Sequence, residues 1–389
     1  MGQKIIFDVY LLNKSTQYGL DMELPSTTYE LLDAMERLGA TDCLEITTEV
    51  ENCGAFGFLQ PHLNEVDSLL ELNKLAYQLA DMDAHSRIAF EGLVGMAVQE
   101  HIQQNSGALT VAELHILSHN TDTCVVLCDV HDDAALGQFY VENDFLPELT
   151  NLPEKVSSML DFAKIGKQMR KSESGIFTPG GYVLQTQELS MTLETAPLCK
   201  PAYMMRLTIR NNTGEPKTEL LDLPASEERI RTVQEEFCIR VMDADCIVPQ
   251  INEVLSGTVD IAQVNKLAKQ LQILDEQGQI PKYKAVLQAT HCEDIDMALV
   301  LTEALDDYQL KPEARSLEEF VRSELNMILC PDDAEHIYRH LDCGGYAREG
   351  LTRQNAEITP YGMVSRADFG PLNEPIMEQT ETREPQMGM

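Results

Sequence analysis

The sequence contains no tryptophan, and aromatic residues make up only 6% of it. Basic residues are scarce: 29 Lys and Arg stand against 64 Asp and Glu, a formal net charge of -35. Such a field repels the phosphates of nucleic acids and membrane surfaces. It excludes partners of those two kinds and favours proteins that themselves bind phosphates. No stretch approaches the roughly 20 apolar residues of a membrane span. The opening Met1-Gly2-Gln3-Lys4-Ile5-Ile6 has neither the apolar core of an export signal nor the Ser or Thr that N-acylation requires at position 6. The ten cysteines (43, 53, 124, 128, 199, 238, 246, 292, 330 and 343) form no C-x-x-C pair and no regular spacing. They are expected to be reduced, mostly buried thiols of a cytoplasmic protein.

Catalytic signatures are also missing. There is no G-x-G-x-x-G, no G-x-S-x-G and no H-E-x-x-H, and Gly166-Lys167 lacks the flanking residues of a phosphate loop. Cys124 and Cys128 read as structural thiols. His115, His119 and His131 have no carboxylate-and-Cys pattern at ligand spacing and read as surface or cap residues. His291-Cys292-Glu293-Asp294 resembles a metal cluster only on paper, because neighbours in sequence do not face one another on a helix or strand. The expectation is a protein that is not an enzyme and has no cofactor and no metal site.

Against these absences stands a hydrophobic content of 43%, which separates the chain from disordered acidic sequences. Its 389 residues suffice for two or three ordinary domains. Internal similarity organises them. LNKLAYQLADMD (72–83) recurs as VNKLAKQLQILD (264–275). Residues 160–183 align without a gap on 341–364, sharing Leu-Asp at the start and Thr-Pro-x-Gly-x-Val at the end. Asn13 before Leu24-Pro25 matches Asn212 before Leu223-Pro224. Three matches in one order predict a tandem duplication.

Each half then reads as three blocks. The first has a strand over 5–12, a helix starting after Leu24-Pro25 with Ser26 as cap, and a strand over 43–50. The second is helical, with Leu69, Leu72, Leu75, Ala76, Leu79 and Met82 at three- and four-residue steps and a further helix over 88–98. The third has short helices near 111–117 and 132–142 and a hairpin turning at Pro179-Gly180-Gly181. The second half repeats the plan. The expected architecture is α+β, an elongated chain of small α/β and helical modules duplicated in tandem. Its modules span 1–60, 61–105, 106–184, 203–250, 251–292 and 293–364, with a linker over 185–202 and a disordered tail over 365–389.

The acids cluster. Asp129, Asp132, Asp133, Glu142, Asp144, Glu148, Glu154 and Asp161 lie in a stretch whose one strong base is Lys155. Glu303, Asp306, Asp307, Glu318, Glu319 and Glu324 lie in the matching stretch of the second half. Acids three or four apart on a helix sit about 5–6 Å from each other and destabilise it slightly. Helix N-termini explain Asp132-Asp133 and Glu318-Glu319, but not the shortage of Lys on the same faces. These carboxylates are the candidate partner-binding surface.

The third block carries a resemblance. Leu136-Gly137-Gln138-Phe139-Tyr140-Val141-Glu142, Leu152-Pro153-Glu154, Leu160-Asp161-Phe162, Ile165-Gly166-Lys167 and Gly175-Ile176-Phe177-Thr178-x-x-Gly181-Tyr182 resemble, in that order, the ArdA antirestriction family. Glu71-Leu72-Asn73-Lys74-Leu75-Ala76 resembles that family's middle domain. The second half keeps Val264-Asn265-Lys266-Leu267-Ala268, Leu341-Asp342 and Thr359-Pro360-x-Gly362 but lacks the Phe-Tyr pair and the aromatic hairpin. The resemblance implies an acidic mimic of bent DNA that occupies the DNA-binding groove of type I restriction–modification enzymes and travels on conjugative elements. It implies a pseudo-dimer within one chain, or a homodimer. The composition alone leaves a second reading, an acidic adaptor of a mobile element binding a basic protein. Within the mimic reading, the acids from Asp129 to Asp161 are expected to contribute more than those of the first block.

Overall fold

In Phe7–Asn13 every second residue is buried, and Phe7, Val9 and Leu11 among them are apolar, which sets a half-buried strand, β1. It pairs antiparallel with β2 (Gly19–Leu24) on one side and β3 (Ile46–Asn52) on the other, and β4 (Glu65–Val66) completes the order β2-β1-β3-β4. The computed structural model describes residues 4–374 except 67, 150–155, 157–158, 192–197, 212–216, 237–238, 256 and 258. The strand expected from Cys43 starts three residues later. The Asp42 side chain accepts the Leu44 N–H at 3.1 Å and draws Cys43–Glu45 into a 3-10 turn.

The chain divides into two compact units, and the division is not a cut at the expected linker. One unit comprises Gly2–Ser26 and Gly39–Leu198; the other comprises Thr27–Leu38 and Cys199–Met389. The first helix, α1 (Thr28–Leu38), therefore belongs with the second half of the sequence. Its cap is Thr27 rather than Ser26. The Thr27 hydroxyl accepts the Glu30 N–H at 3.3 Å, and the Glu30 carboxylate accepts the Thr27 N–H at 2.7 Å. Ser26 is engaged elsewhere, because its N–H and carbonyl are held by the Asn73 amide at 2.8 and 2.9 Å.

In the first unit, α2 (Leu69–Ala80) buries Leu69, Leu72, Leu75, Ala76 and Leu79, the stripe that the sequence predicts, except that Met82 lies past the helix end and is only half-buried. Asp83 caps α3 (Ala84–Gln104), whose Phe90 meets Phe56 and Phe58 edge-on with centroids 6.4 and 5.8 Å away. Then follow α4 (Val111–Ser118), β5 (Cys124–Leu127), α5 (Asp133–Glu142), α6 (Phe162–Glu173), β6 (Ile176–Thr178) and β7 (Gly181–Gln185), with sheet order β5-β7-β6. Cys124 opens a strand and Cys128 lies in the turn after it, so the two do not share a helical face. At the hairpin, the Thr178 hydroxyl donates to the Gly181 carbonyl at 3.0 Å. Gly181 has φ +137°, and a Cβ there would stand 2.4 Å from the Leu127 carbonyl oxygen. The start of the expected linker is tied down: the Ser190 N–H donates to Asn120 Oδ1 at 2.7 Å.

The second unit holds β8 (Met205–Asn211), β9 (Thr218–Leu223) and β10 (Ile239–Cys246) in the order β10-β8-β9, with α7 (Glu227–Glu236) between β9 and β10. Then come α8 (Ile261–Glu276), α9 (Ile280–Ala289), α10 (Ile295–Glu303), β11 (Tyr308–Lys311), α11 (Leu317–Ile328), α12 (Pro331–Tyr338), α13 (Cys343–Gln354), β12 (Glu357–Thr359) and β13 (Gly362–Arg366). Local details recur. The Asn265 amide bonds the N–H and carbonyl of Ala225 at 2.8 and 3.1 Å, as Asn73 does for Ser26. Thr359 donates to the Gly362 carbonyl at 2.7 Å, and Gly362 has φ +134°.

Ser365 and Arg366 end β13 instead of opening a tail. Arg366 is bonded to Asp368 at 2.9 and 2.6 Å, and the Tyr308 hydroxyl donates to the Leu372 carbonyl at 2.8 Å. Residues 375–389 lie outside the described residues.

Helix α1 brings a buried ionic cluster to this unit. Lys284 Nζ lies 2.7 Å from Asp33 Oδ1 and 2.8 Å from Glu36 Oε2, with Lys284 and Asp33 side chains only 5% and 8% exposed. The Tyr361 hydroxyl donates to Asp33 at 2.8 Å and accepts from Gln250 at 2.7 Å. Arg315 closes the end of α1 by donating to the carbonyls of Glu36 and Arg37 at 3.0 and 3.2 Å.

Candidate functional site

The predicted acids of the third block sort into two groups. Asp133 faces inward, and its carboxylate takes a bidentate bond from Arg170 at 2.8 and 3.1 Å. That bond holds Asp133 below the ordinary carboxylate range. Asp129, Asp132, Glu142, Asp144, Glu148 and Asp161 are exposed and make no ion pair among the described residues. Two of these also cap helices: Asp132 accepts the Ala135 N–H at 2.8 Å, and Asp161 accepts the Lys164 N–H at 3.0 Å. Glu142 accepts from Gln138 at 2.7 Å. Glu154 lies outside the described residues.

A feature that the sequence reading missed stands beside them. Helix α6 packs on α5 and carries Lys164, Lys167, Arg170 and Lys171. The acids of this module therefore share their surroundings with a basic helix. The packing is unusually close because glycines meet. A Cβ on Gly137 would stand 1.9 Å from the Phe162 carbonyl oxygen, and one on Gly166 would stand 1.8 Å from the Asp133 carbonyl oxygen. The Gly166→Val variant is expected to force the helices apart and to lower stability by about 1–3 kcal/mol. Thermal melting checks this, and a melt like that of the parent would show that the crossing tolerates a side chain. Tyr140 and Tyr182 close the same module by donating to the two oxygens of Glu173 at 2.5 and 3.3 Å. Burial first, and then Glu173, holds both phenols above the ordinary tyrosine value.

In the second half three of the six predicted acids are engaged. Glu324 pairs with Lys311 at 3.4 Å, and Glu303 pairs with Lys266 at 3.3 Å. Ser316 caps α11 by accepting the Glu319 N–H at 3.2 Å, and the Glu319 carboxylate accepts the Arg315 N–H at 2.9 Å. Asp307 is half-buried, and Asp306 and Glu318 are exposed.

The most uniform acidic surface lies elsewhere, on the outer face of the first sheet. Register places Glu23 of β2 beside Asp8 of β1, and Asp21 and Glu49 on either side of Tyr10. Glu51 is exposed at the bulge next to them, and Asn52 donates to Asp8 at 2.8 Å. Strands β1, β2 and β3 contain no Lys or Arg. Adjacent strands are about 4.8 Å apart and alternate residues about 6.8 Å apart, so these carboxylates form a fixed grid. Like charges across strands cost stability, which a purely structural sheet would avoid.

The corresponding sheet of the second half is balanced. Arg206 bonds Asp222 at 2.6 and 2.8 Å and stands opposite Asp245, and Arg210 and Arg240 occupy paired positions further along β8 and β10. The same strand plan thus carries five acids and no base in one half, and a mixture in the other.

Residues 13–184 match the family model of antirestriction protein (ArdA). These residues belong to the ArdA family. The match runs from Asn13, the last residue of β1, to Leu184 in β7, and includes the glycine crossing and the hairpin. No curated protein matches the chain. The motif residues Gly137, Tyr140, Gly166 and Tyr182 of the ArdA-like half are framework, and the exposed carboxylates around them are the surface it presents. Among the described residues no three His, Cys, Asp or Glu side chains converge as metal ligands would, and no helix is long and apolar enough to cross a membrane.

Proposed function

We propose that this antirestriction protein acts as a mimic of DNA, presenting carboxylates in place of phosphates to the DNA-binding groove of a type I restriction–modification enzyme. The observation that carries the reading is the outer sheet face of Asp8, Asp21, Glu23, Glu49 and Glu51, on strands that contain no Lys or Arg. DNA carries one negative charge per about 3.4 Å of rise on each strand, and proteins that bind it line their grooves with Lys and Arg. A rigid acidic grid engages the same cations, and its binding weakens with salt as DNA binding does.

The exposed acids of the third module extend the surface. Because α6 sets cations beside them, their share is smaller than that of the sheet face, the reverse of the order expected from sequence. Changing Asp129, Asp132, Glu142, Asp144 and Glu148 together to Asn or Gln is expected to weaken inhibition of a sensitive type I enzyme roughly 5-fold. Asn at position 132 preserves the helix cap. Full inhibition by the folded variant would remove this module from the interface.

The recurring Asn73 and Asn265 bonds and the matching hairpins support the tandem-duplication reading. The charge-balanced second sheet supports a division of labour in which the first half carries the mimic surface.

A further inference from the structure

Helix α4 ends in a pair of histidines. His119 continues the helical geometry at the cap (φ -83°, ψ -7°), and its N–H donates to the His115 carbonyl at 3.3 Å. The two side chains, four residues apart, therefore lie on one face. Their ring centroids are 4.7 Å apart and their Nε2 atoms 3.0 Å apart. His119 is exposed and His115 half-exposed. The two Nε2 atoms are hydrogen-bonded to each other, and two imidazoles one helical turn apart with nitrogens this close have the spacing of a bidentate metal ligand.

We propose that His115 and His119 chelate a divalent late first-row transition ion through both Nε2 atoms, with water completing its shell. Metal–imidazole bonds are about 2.0–2.1 Å long, so an ion shared by nitrogens 3.0 Å apart subtends an angle of roughly 95°. That angle suits the octahedral or square-planar geometry of Ni²⁺ and Cu²⁺ better than the tetrahedral geometry of Zn²⁺. The net charge of -35 concentrates cations near the chain, and Lys74, close to His115, opposes this locally. A second pair, His336 and His340, has rings 5.4 Å apart and serves as a looser comparison within the same chain.

The test is calorimetric titration of the full, untagged chain with Ni²⁺, after exposed Cys128, Cys199 and Cys330 are blocked under native conditions. One Ni²⁺ is expected to bind tightest. His115→Ala and His119→Ala should each weaken that event at least 10-fold, and the His336→Ala/His340→Ala double variant should leave it unchanged. Because His119 is exposed, its variant should melt like the parent without metal and lose the Ni²⁺-induced rise in melting temperature. Zn²⁺ should bind more weakly than Ni²⁺. Parent-like Ni²⁺ binding by the His119→Ala variant, loss of the event in the His336/His340 variant, or tighter binding of Zn²⁺ than Ni²⁺ would each overturn the assignment.

Discussion

Changing Asp8, Asp21, Glu23, Glu49 and Glu51 together to Asn or Gln is expected to weaken inhibition of a sensitive type I restriction enzyme by roughly 70-fold, counting about 0.5 kcal/mol for each exposed carboxylate that meets a cation. The sheet should survive, because these side chains point outward while Phe7, Val9, Leu11, Ile46 and Val50 hold the inner face. Removing like charges from neighbouring strands should even stabilise it slightly. Single changes should each lower inhibition no more than a few-fold. The matching control is Asp222, Asp243 and Asp245 of the second half, which lie among arginines. Their neutralisation should leave inhibition within a few-fold of the parent. Equal losses from both sheets would contradict the division between the halves.

Replacing Lys284 by Met should destabilise the unit that contains it by about 3–5 kcal/mol, because Asp33 and Glu36 are then left without their buried cation. For a unit of this size the melting temperature should fall by roughly 10 °C. Changing Asp33→Asn and Glu36→Gln in the same chain should restore much of the loss, since the cost lies in the unpaired charge. The cluster also sets a pH limit. Burial alone would lower Lys284, but Asp33 and Glu36 outweigh it and hold the ammonium above the ordinary lysine value. Burial, followed by Asp33, pushes the Tyr361 phenol far up. Both groups bind their protons more tightly folded than unfolded. Their stabilisation is complete below about pH 10, the ordinary Tyr and Lys range, and is lost as the pH rises beyond it. Calorimetric melts at rising alkaline pH should therefore show a falling melting temperature that Lys284→Met combined with Tyr361→Phe flattens; an equal fall in that variant would place the alkaline sensitivity elsewhere.

The helical module was legible because Leu69, Leu72, Leu75, Ala76 and Leu79 repeat at the helical period and all face the core. The hairpins were legible from Thr-Pro-x-Gly, whose Thr bonds across the turn while Gly takes the positive φ. Helix α6 was not, because few apolar residues mark it and Gly166 interrupts it; the meaning of that glycine appears only when Gly137 is found opposite. The assignment of α1 to the second unit has no local signature, and Asp33 within its buried face reads as polar until Lys284 is seen beside it. The acidic sheet was hidden for a related reason. Asp8, Asp21, Glu23 and Glu49 are scattered along the first 50 residues, and only antiparallel register gathers them. The denser acids around Asp133 were easier to see in sequence, where the Arg170 that pairs with Asp133 lies 37 positions away.

The central claim is that the chain and DNA compete for one groove. A fluorescently labelled duplex carrying the recognition sequence is bound to a type I enzyme, and the chain is titrated in while anisotropy is followed. The account predicts complete displacement of the duplex, an apparent affinity that weakens in proportion to the DNA concentration, and a further weakening as salt rises. If the chain binds the enzyme while the duplex stays in place, the protein is an acidic adaptor and not a mimic of DNA.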